Sequence, residues 1–302
     1  MRTLILNSSN IIPGTNNSQL QYQFPGGSVV LKEGQKVALS SLSMFYSTFN
    51  ITAAYRNNTF QYIWVDGTVV DVVFPDGFYD ANGINTYLHF VMVQNLHYLV
   101  SGGNFVYFIT LGTNSSAYAI EVNCFTMSVA LAAANLWTLP AGATWVIPTN
   151  VIVPMLQILP NAFRQVIGFS TGTYPNAVIA GVPPAQTQTP AYTTTQIFLS
   201  SIVPQVTPLS SYILTCSLIN NNYAIPNSLL YSFAPVGTFG NQFTVAPSGN
   251  LSFISCLAGM YNRFTMSFVD QYLNPIAIQD PNFVIMLLIT DPDENGTVGK
   301  RF

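Results

Sequence analysis

Residues 263–291, RFTMSFVDQYLNPIAIQDPNFVIMLLITD, decide the fold class. In the first half Phe264, Met266 and Phe268 alternate with Thr265 and Ser267, the period of a strand with one buried face. The second half does not alternate. Phe283 to Ile289 is an unbroken apolar run, too short for a membrane span and rich in side chains that suit a sheet, so it reads as a strand covered on both faces. Pro275 and Pro281 punctuate the connection between the two as loop. In a sandwich, the outer face of such a second strand needs another layer or another subunit.

The composition points the same way. Only 6% of the 302 residues are charged, while 49% are hydrophobic and 13% aromatic. An ordinary soluble domain carries about 25% charged residues, so this surface has to be built from Asn, Ser, Thr and Gln. A net charge of −3 gives copies little repulsion, which favours association. The N-terminal MRTLILNSSN lacks the apolar core and cleavage site of a signal peptide, and synthesis in the cytosol is expected. Three cysteines (Cys124, Cys216 and Cys256), widely spaced, suit buried reduced thiols better than disulfides or a metal site. The apolar region 127–159 is broken by Asn135, Pro140, Pro148 and Pro154, so no transmembrane helix is expected. The eight Lys and Arg form no cluster in the sequence, which argues against a nucleic-acid groove.

Outward from the opening stretch, strand patterns recur at 196–203, 211–219, 228–234 and 250–254, with Pro, Asn and Gly turns between them. In Lys32 to Tyr46 the parity of the apolar residues changes at Ser40-Ser41, which predicts a bulge or a bend. Leu4-Ile5-Leu6 ahead of Pro13-Gly14 is either an edge strand or an arm docked on a neighbour. Phe60, Tyr62 and Trp64 lead into Asp66-Gly67, the signature of a hairpin with a two-residue type I′ turn. A helix is expected over 82–95, capped by Asp80 or Asn82, with Ile84, Leu88, Val91 and Met92 on one face. Strands at 105–110 and 117–125 follow, and a possible strand at 166–169. The expected fold is all-β: a single jelly-roll antiparallel sandwich with a small α+β insertion. Because a tight hairpin joins neighbours within one sheet, it is assigned to the insertion, 55–126. The sandwich then takes 1–54 and 127–302, with an N-terminal arm at 1–18 and a C-terminal tail at 291–302.

No chemistry stands out. Gly168-Phe169-Ser170-Thr171-Gly172 has the spacing of a nucleophile elbow, but that motif needs a strand before it and a helix after it, and Tyr174-Pro175 follows instead. Residues 291–296, DPDENG, open like a calcium loop, yet Phe302 stands where a carboxylate is required. Asp76 and Asp80 fit turn and cap roles. His89 and His97 are too few for a cupin-type metal centre. No catalytic residue, metal ligand or cofactor site is predicted.

Six segments taken together carry a resemblance: LILNSSN at 4–10, KEGQKVALSSLSMFYSTFNIT at 32–52, PDGFYDANGINTYL at 75–88, IGFSTGTYP at 167–175, SSYILTCSLINN at 210–221 and FVDQYLNPIAIQDPNFVIMLLI at 268–289. In order and spanning nearly the whole chain, they resemble the penton (minor capsid) proteins of virophages and related Maverick/polinton elements, the mavirus type most closely. The resemblance implies a non-enzymatic virion protein, made in the host cytoplasm. It would form homopentamers at icosahedral vertices, amid double-jelly-roll major capsid proteins. Under that reading Leu4, Ile5, Leu6 and Asn7 of the arm and Phe283, Ile285, Leu287 and Ile289 of the apolar run are the candidate assembly contacts, and GVPPAQTQTP at 181–190 is a candidate rim loop. The alternative is a jelly-roll carbohydrate-binding or host-attachment module.

Overall fold

The chain resolves into two units, each with its own hydrophobic core. The computed structural model describes residues 1–175, 195–206, 209–247 and 251–290. Unit 1 comprises 1–49 with 209–302, and unit 2 comprises 50–208. The 181–190 loop and the 291–302 tail, including its calcium-like segment, lie outside the described residues.

Unit 1 is built on eight strands: β1 (Arg2–Asn7), β2 (Gln19–Gln23), β3 (Lys36–Phe45), β4 (Tyr212–Cys216), β5 (Leu229–Phe233), β6 (Gln242–Val245), β7 (Arg263–Val269) and β8 (Phe283–Thr290). They form two antiparallel sheets, in the orders β1-β8-β3-β6 and β2-β7-β4-β5. This is the strand order of a jelly roll, in which consecutive strands change sheet at every connection except β4/β5. Short accessory pairings join Val29–Leu31 to Gly259–Tyr261, and Ile254–Ser255 to the start of β3.

The opening stretch of the sequence therefore crosses the sandwich. Phe264, Met266 and Phe268 of β7 point inward from one sheet, and Phe283, Ile285, Leu287 and Ile289 of β8 from the other. The rings of Phe268 and Phe283 meet with centroids 5.9 Å apart. Leu4 and Leu6 of β1 fill the same layer. The arm is thus an edge strand of the sandwich, paired with β8 from Arg2↔Ile289 to Asn7↔Val284. The parity change in β3 is a bulge, as its sequence predicts. Met286 faces Ser41 and Leu287 faces Leu39, leaving Ser40 as the extra residue. Val37 and Leu39 before it, and Leu42 and Met44 after it, all reach the core.

Unit 2 holds the hairpin Thr59–Ile63 with Val69–Val73 and the helix α1 (Ala81–Gln94). Asp80 caps α1 by accepting from the Gly83 N–H at 2.6 Å, and Ile84, Leu88, Val91 and Met92 are its buried face. The hairpin turn differs from the type I′ expectation. Only Gly67 has positive φ, and its N–H bonds to the Trp64 carbonyl, which makes a turn closed by a left-handed glycine. Unit 2 also reaches further along the chain than 55–126. Met155–Ile158 pairs with Thr59–Ile63, and Gln196–Leu199 pairs with Ala119–Cys124 rather than joining the sandwich. These long-range pairings draw 127–208 into the second core.

Candidate functional site

The chemical leads of the sequence that fall within the described residues have structural roles in their own unit. Ser170 follows a short helix, Phe163–Ile167, where the sequence suggested a strand. The strand Gly172–Tyr174 comes after it, so the element order is the reverse of a nucleophile elbow. Gly168 ends that helix in the left-handed conformation, φ 73°, and the Tyr174 hydroxyl donates to the Ser170 carbonyl at 3.0 Å. Asp76 accepts from the Ala53 N–H at 2.7 Å. His89 stacks on Tyr107 at 3.7 Å, its Nε2 3.1 Å from the Ile109 carbonyl. His97 stacks on Trp64 and bonds through Nδ1 to the Tyr62 hydroxyl at 2.8 Å. Burial lowers the pKa of both imidazoles. Burial raises the thiols, Cys124 and Cys216 to about 12 and Cys256 to about 11, so each is held as an unreactive thiol. Among the described residues no group of His, Cys, Asp or Glu is placed to hold a metal, and no helix is long and apolar enough to cross a membrane.

What unit 1 does offer is an asymmetric pair of outer faces. The outer face of the β2-β7-β4-β5 sheet is polar along its middle: Gln19, Gln21, Thr265, Ser267 and Thr215 line up across three strands. The outer face of the β1-β8-β3-β6 sheet carries an apolar stripe. Ile5, 52% exposed, stands directly opposite Met286; Val284, 46% exposed, and the half-buried Leu288 flank it on β8. Beyond the stripe the face turns polar, where Gln242 Nε2 and Thr244 Oγ1 donate to Ser43 Oγ at 2.8 and 3.5 Å. At one end of the face lies a depression of about 440 Å³, bordered by Asn7, Ser9, Phe45, Gln242, Asn282 and Val284. Asn7 stops β1 there by a reciprocal cap: its side chain accepts from the Ser9 N–H, and Asn10 accepts from its own N–H, both at 2.9 Å.

The eight residues named from sequence as assembly contacts divide by parity. Leu4, Leu6, Phe283, Ile285, Leu287 and Ile289 are core residues of unit 1. Ile5 and Asn7 face outward. The outward residues of β8 that sequence reasoning passed over are Val284, Met286 and Leu288. Within an unbroken apolar run nothing local distinguishes the two parities; the pairing Ile5↔Met286 does.

Strand order and outer faces together define unit 1 as a single jelly roll, with unit 2 inserted between its third and fourth strands. The structure is similar to the crystal structure of the SeMet-labeled mavirus penton protein, with a TM-score of 0.45 and 11% identity over 96% of this chain and 98% of that one. It is also similar to a chain of the Sputnik virophage, determined by cryo-EM at 3.5 Å, with a TM-score of 0.38 and 12% identity over 98% and 99%. No protein-family model matches the sequence, and no curated protein does. At these TM-scores the superpositions carry no argument, and the jelly-roll assignment rests on the strand order itself.

Proposed function

We propose that the chain is a structural, non-enzymatic subunit of a virus shell, a penton-type protein that closes on itself as a homopentamer at a capsid vertex. The observation that carries this reading is the apolar stripe Ile5, Met286, Val284 and Leu288 on the outside of a jelly-roll sheet, in a chain with 6% charged residues. An aliphatic row of this kind is what a subunit interface covers. A closed ring uses two different patches per subunit, which suits two outer faces of opposite character. The sequence resemblance supplies the penton identity, the double-jelly-roll neighbours, the virion location and synthesis in the host cytoplasm. Mass measurement on the purified chain is the test: a ring of five supports the proposal, and a monomer that persists at high concentration overturns it.

The depression favours a second reading, a glycan-binding module. Its rim of amides and hydroxyls beside the Phe45 ring has the chemistry that neutral sugars use. Retention of a monomeric chain on a glycan array, lost in Gln242→Ala, would select that reading over the shell subunit.

A further inference from the structure

Few and scattered in sequence, the cations of unit 1 converge in the fold. Arg2 pairs with Ile289 at the end of β8, Lys36 pairs with Thr290, and Arg263 opens β7 opposite Gln23. Lys32 lies in the β2–β3 connection, and hydrogen bonds Cys256 N to Gln35 O (2.8 Å) and Asn220 N to Ser255 O (3.1 Å) tie that connection to those of β4–β5 and β6–β7. All four described cations of unit 1 thus gather at one end, with Glu33 as the single described carboxylate there. Asp270 and Asp280 belong to the β7–β8 connection at the opposite end. Among the described residues this end is therefore net positive.

The same end presents apolar side chains to solvent. Tyr223 and Ile225, 101% and 92% exposed, project from the β4–β5 connection; Val30 and Met260, 56% and 74% exposed, form a cross-strand pair in the accessory ribbon. The loop that carries Tyr223 is braced from within. Asn221 N bonds to Asn227 O at 2.6 Å, Tyr223 N to Asn221 Oδ1 at 3.1 Å, and Asn227 Nδ2 to Asn220 Oδ1 at 3.1 Å. A loop so tied loses little entropy on burying its tip.

We propose that this end of unit 1 is a membrane-contact surface: Tyr223, Ile225, Val30 and Met260 enter the headgroup and upper acyl region of a bilayer, while Lys32, Lys36 and Arg263 meet anionic lipid headgroups. The pairing of protruding apolar side chains with surrounding positive charge is what interfacial binding requires. Nucleic acid would satisfy the charge but offers no apolar layer to the four side chains, so the observations favour lipid. This inference stands on the geometry of unit 1 alone and is independent of the proposed capsid role.

Flotation of the purified full chain with phosphatidylcholine vesicles, with and without phosphatidylserine, tests it. The chain is expected to float with phosphatidylserine-containing vesicles only, and less as salt rises. Tyr223→Ser with Ile225→Ser should weaken binding by roughly tenfold or more, and Lys32→Ala with Arg263→Ala by about tenfold. In Tyr223→Trp the emission should shift to the blue on vesicle addition, a readout free of any loss by misfolding. No flotation, flotation that the loop variant leaves unchanged, or retention by duplex DNA in place of vesicles overturns the proposal.

Discussion

At the scale of single residues, backbone and burial account for positions that a motif search would misread. Gly168 belongs to a hydrolase-like pattern, yet its positive φ and the Ile202 carbonyl oxygen in the space a Cβ would take are what require glycine. Gly168→Ala adds a methyl group in that space, on a backbone that side chains resist. It should destabilise unit 2 by about 2–4 kcal/mol, whereas Ser170→Ala should be near neutral. Urea unfolding followed by tryptophan emission measures both, since Trp64, Trp137 and Trp145 all belong to unit 2. Equal effects of the two substitutions would sink this account. His89 and His97 belong to the same unit, and burial holds both folded pKa values below the ordinary 6.5. The unfolded state therefore binds more protons as the solution is acidified. The contribution of each imidazole is complete above pH 6.5 and is lost progressively below it. Unit 2 should unfold at lower urea at pH 5.5 than at pH 7.5, and His97→Gln should flatten that difference. A midpoint that does not move between the two pH values would refute the desolvation argument.

At the scale of elements, what could be read from sequence is what local periodicity encodes. Helix α1 announces itself through Asp80 and a one-sided stripe, and β7 through strict alternation, because each meets solvent on one face. The bulge at Ser40 is legible for the same reason: a slipped parity leaves a mark in the sequence. The edge strand β6 is only Gln242–Val245, with Phe243 and Val245 half-buried, too brief to show a period. In β8 the two parities are chemically alike, so the sequence reads as a strand with no wet face and does not say which side is the core. The two parities should separate by experiment. Ile285→Ala empties a fully buried site and should cost about 2–5 kcal/mol of unit 1 stability while leaving the outer stripe intact. Met286→Glu should leave thermal stability of the single subunit nearly unchanged but abolish self-association, by burying a carboxylate in the proposed interface. Sedimentation and thermal melts on the two variants distinguish them. Loss of association in Ile285→Ala at a temperature where it stays folded, or its retention in Met286→Glu, would show that the stripe is not the contact.

At the scale of the whole molecule, the division into units is set by pairings that no local pattern announces. Met155–Ile158 joins Thr59–Ile63 across a long stretch of chain, and Ala119–Cys124 takes Gln196–Leu199 as its other neighbour. Gln196–Leu199 reads as a sandwich strand when taken alone, and Met155–Ile158 lies in a Pro-broken stretch without a strand period, so sequence reasoning ended the insertion at 126, whereas unit 2 runs to 208. The low charge of the chain acts at this scale as well, and it fixes how assembly should respond to salt. Contacts made through charged pairs weaken as the Debye length falls, from about 10 Å at 0.1 M to about 3 Å at 1 M. Contacts made by aliphatic surface do not, and sulfate strengthens them. With Ile5, Val284, Met286 and Leu288 as the covering surface, the assembly of five times the 33.0 kDa chain should persist from low salt to molar sodium chloride and tighten in sulfate. The basic end of unit 1 should behave oppositely, releasing anionic vesicles over the same range. Sedimentation and flotation across one salt series thus separate the two surfaces. An assembly that dissociates with rising salt would mean that charge, and not the stripe on β1 and β8, holds the subunits together.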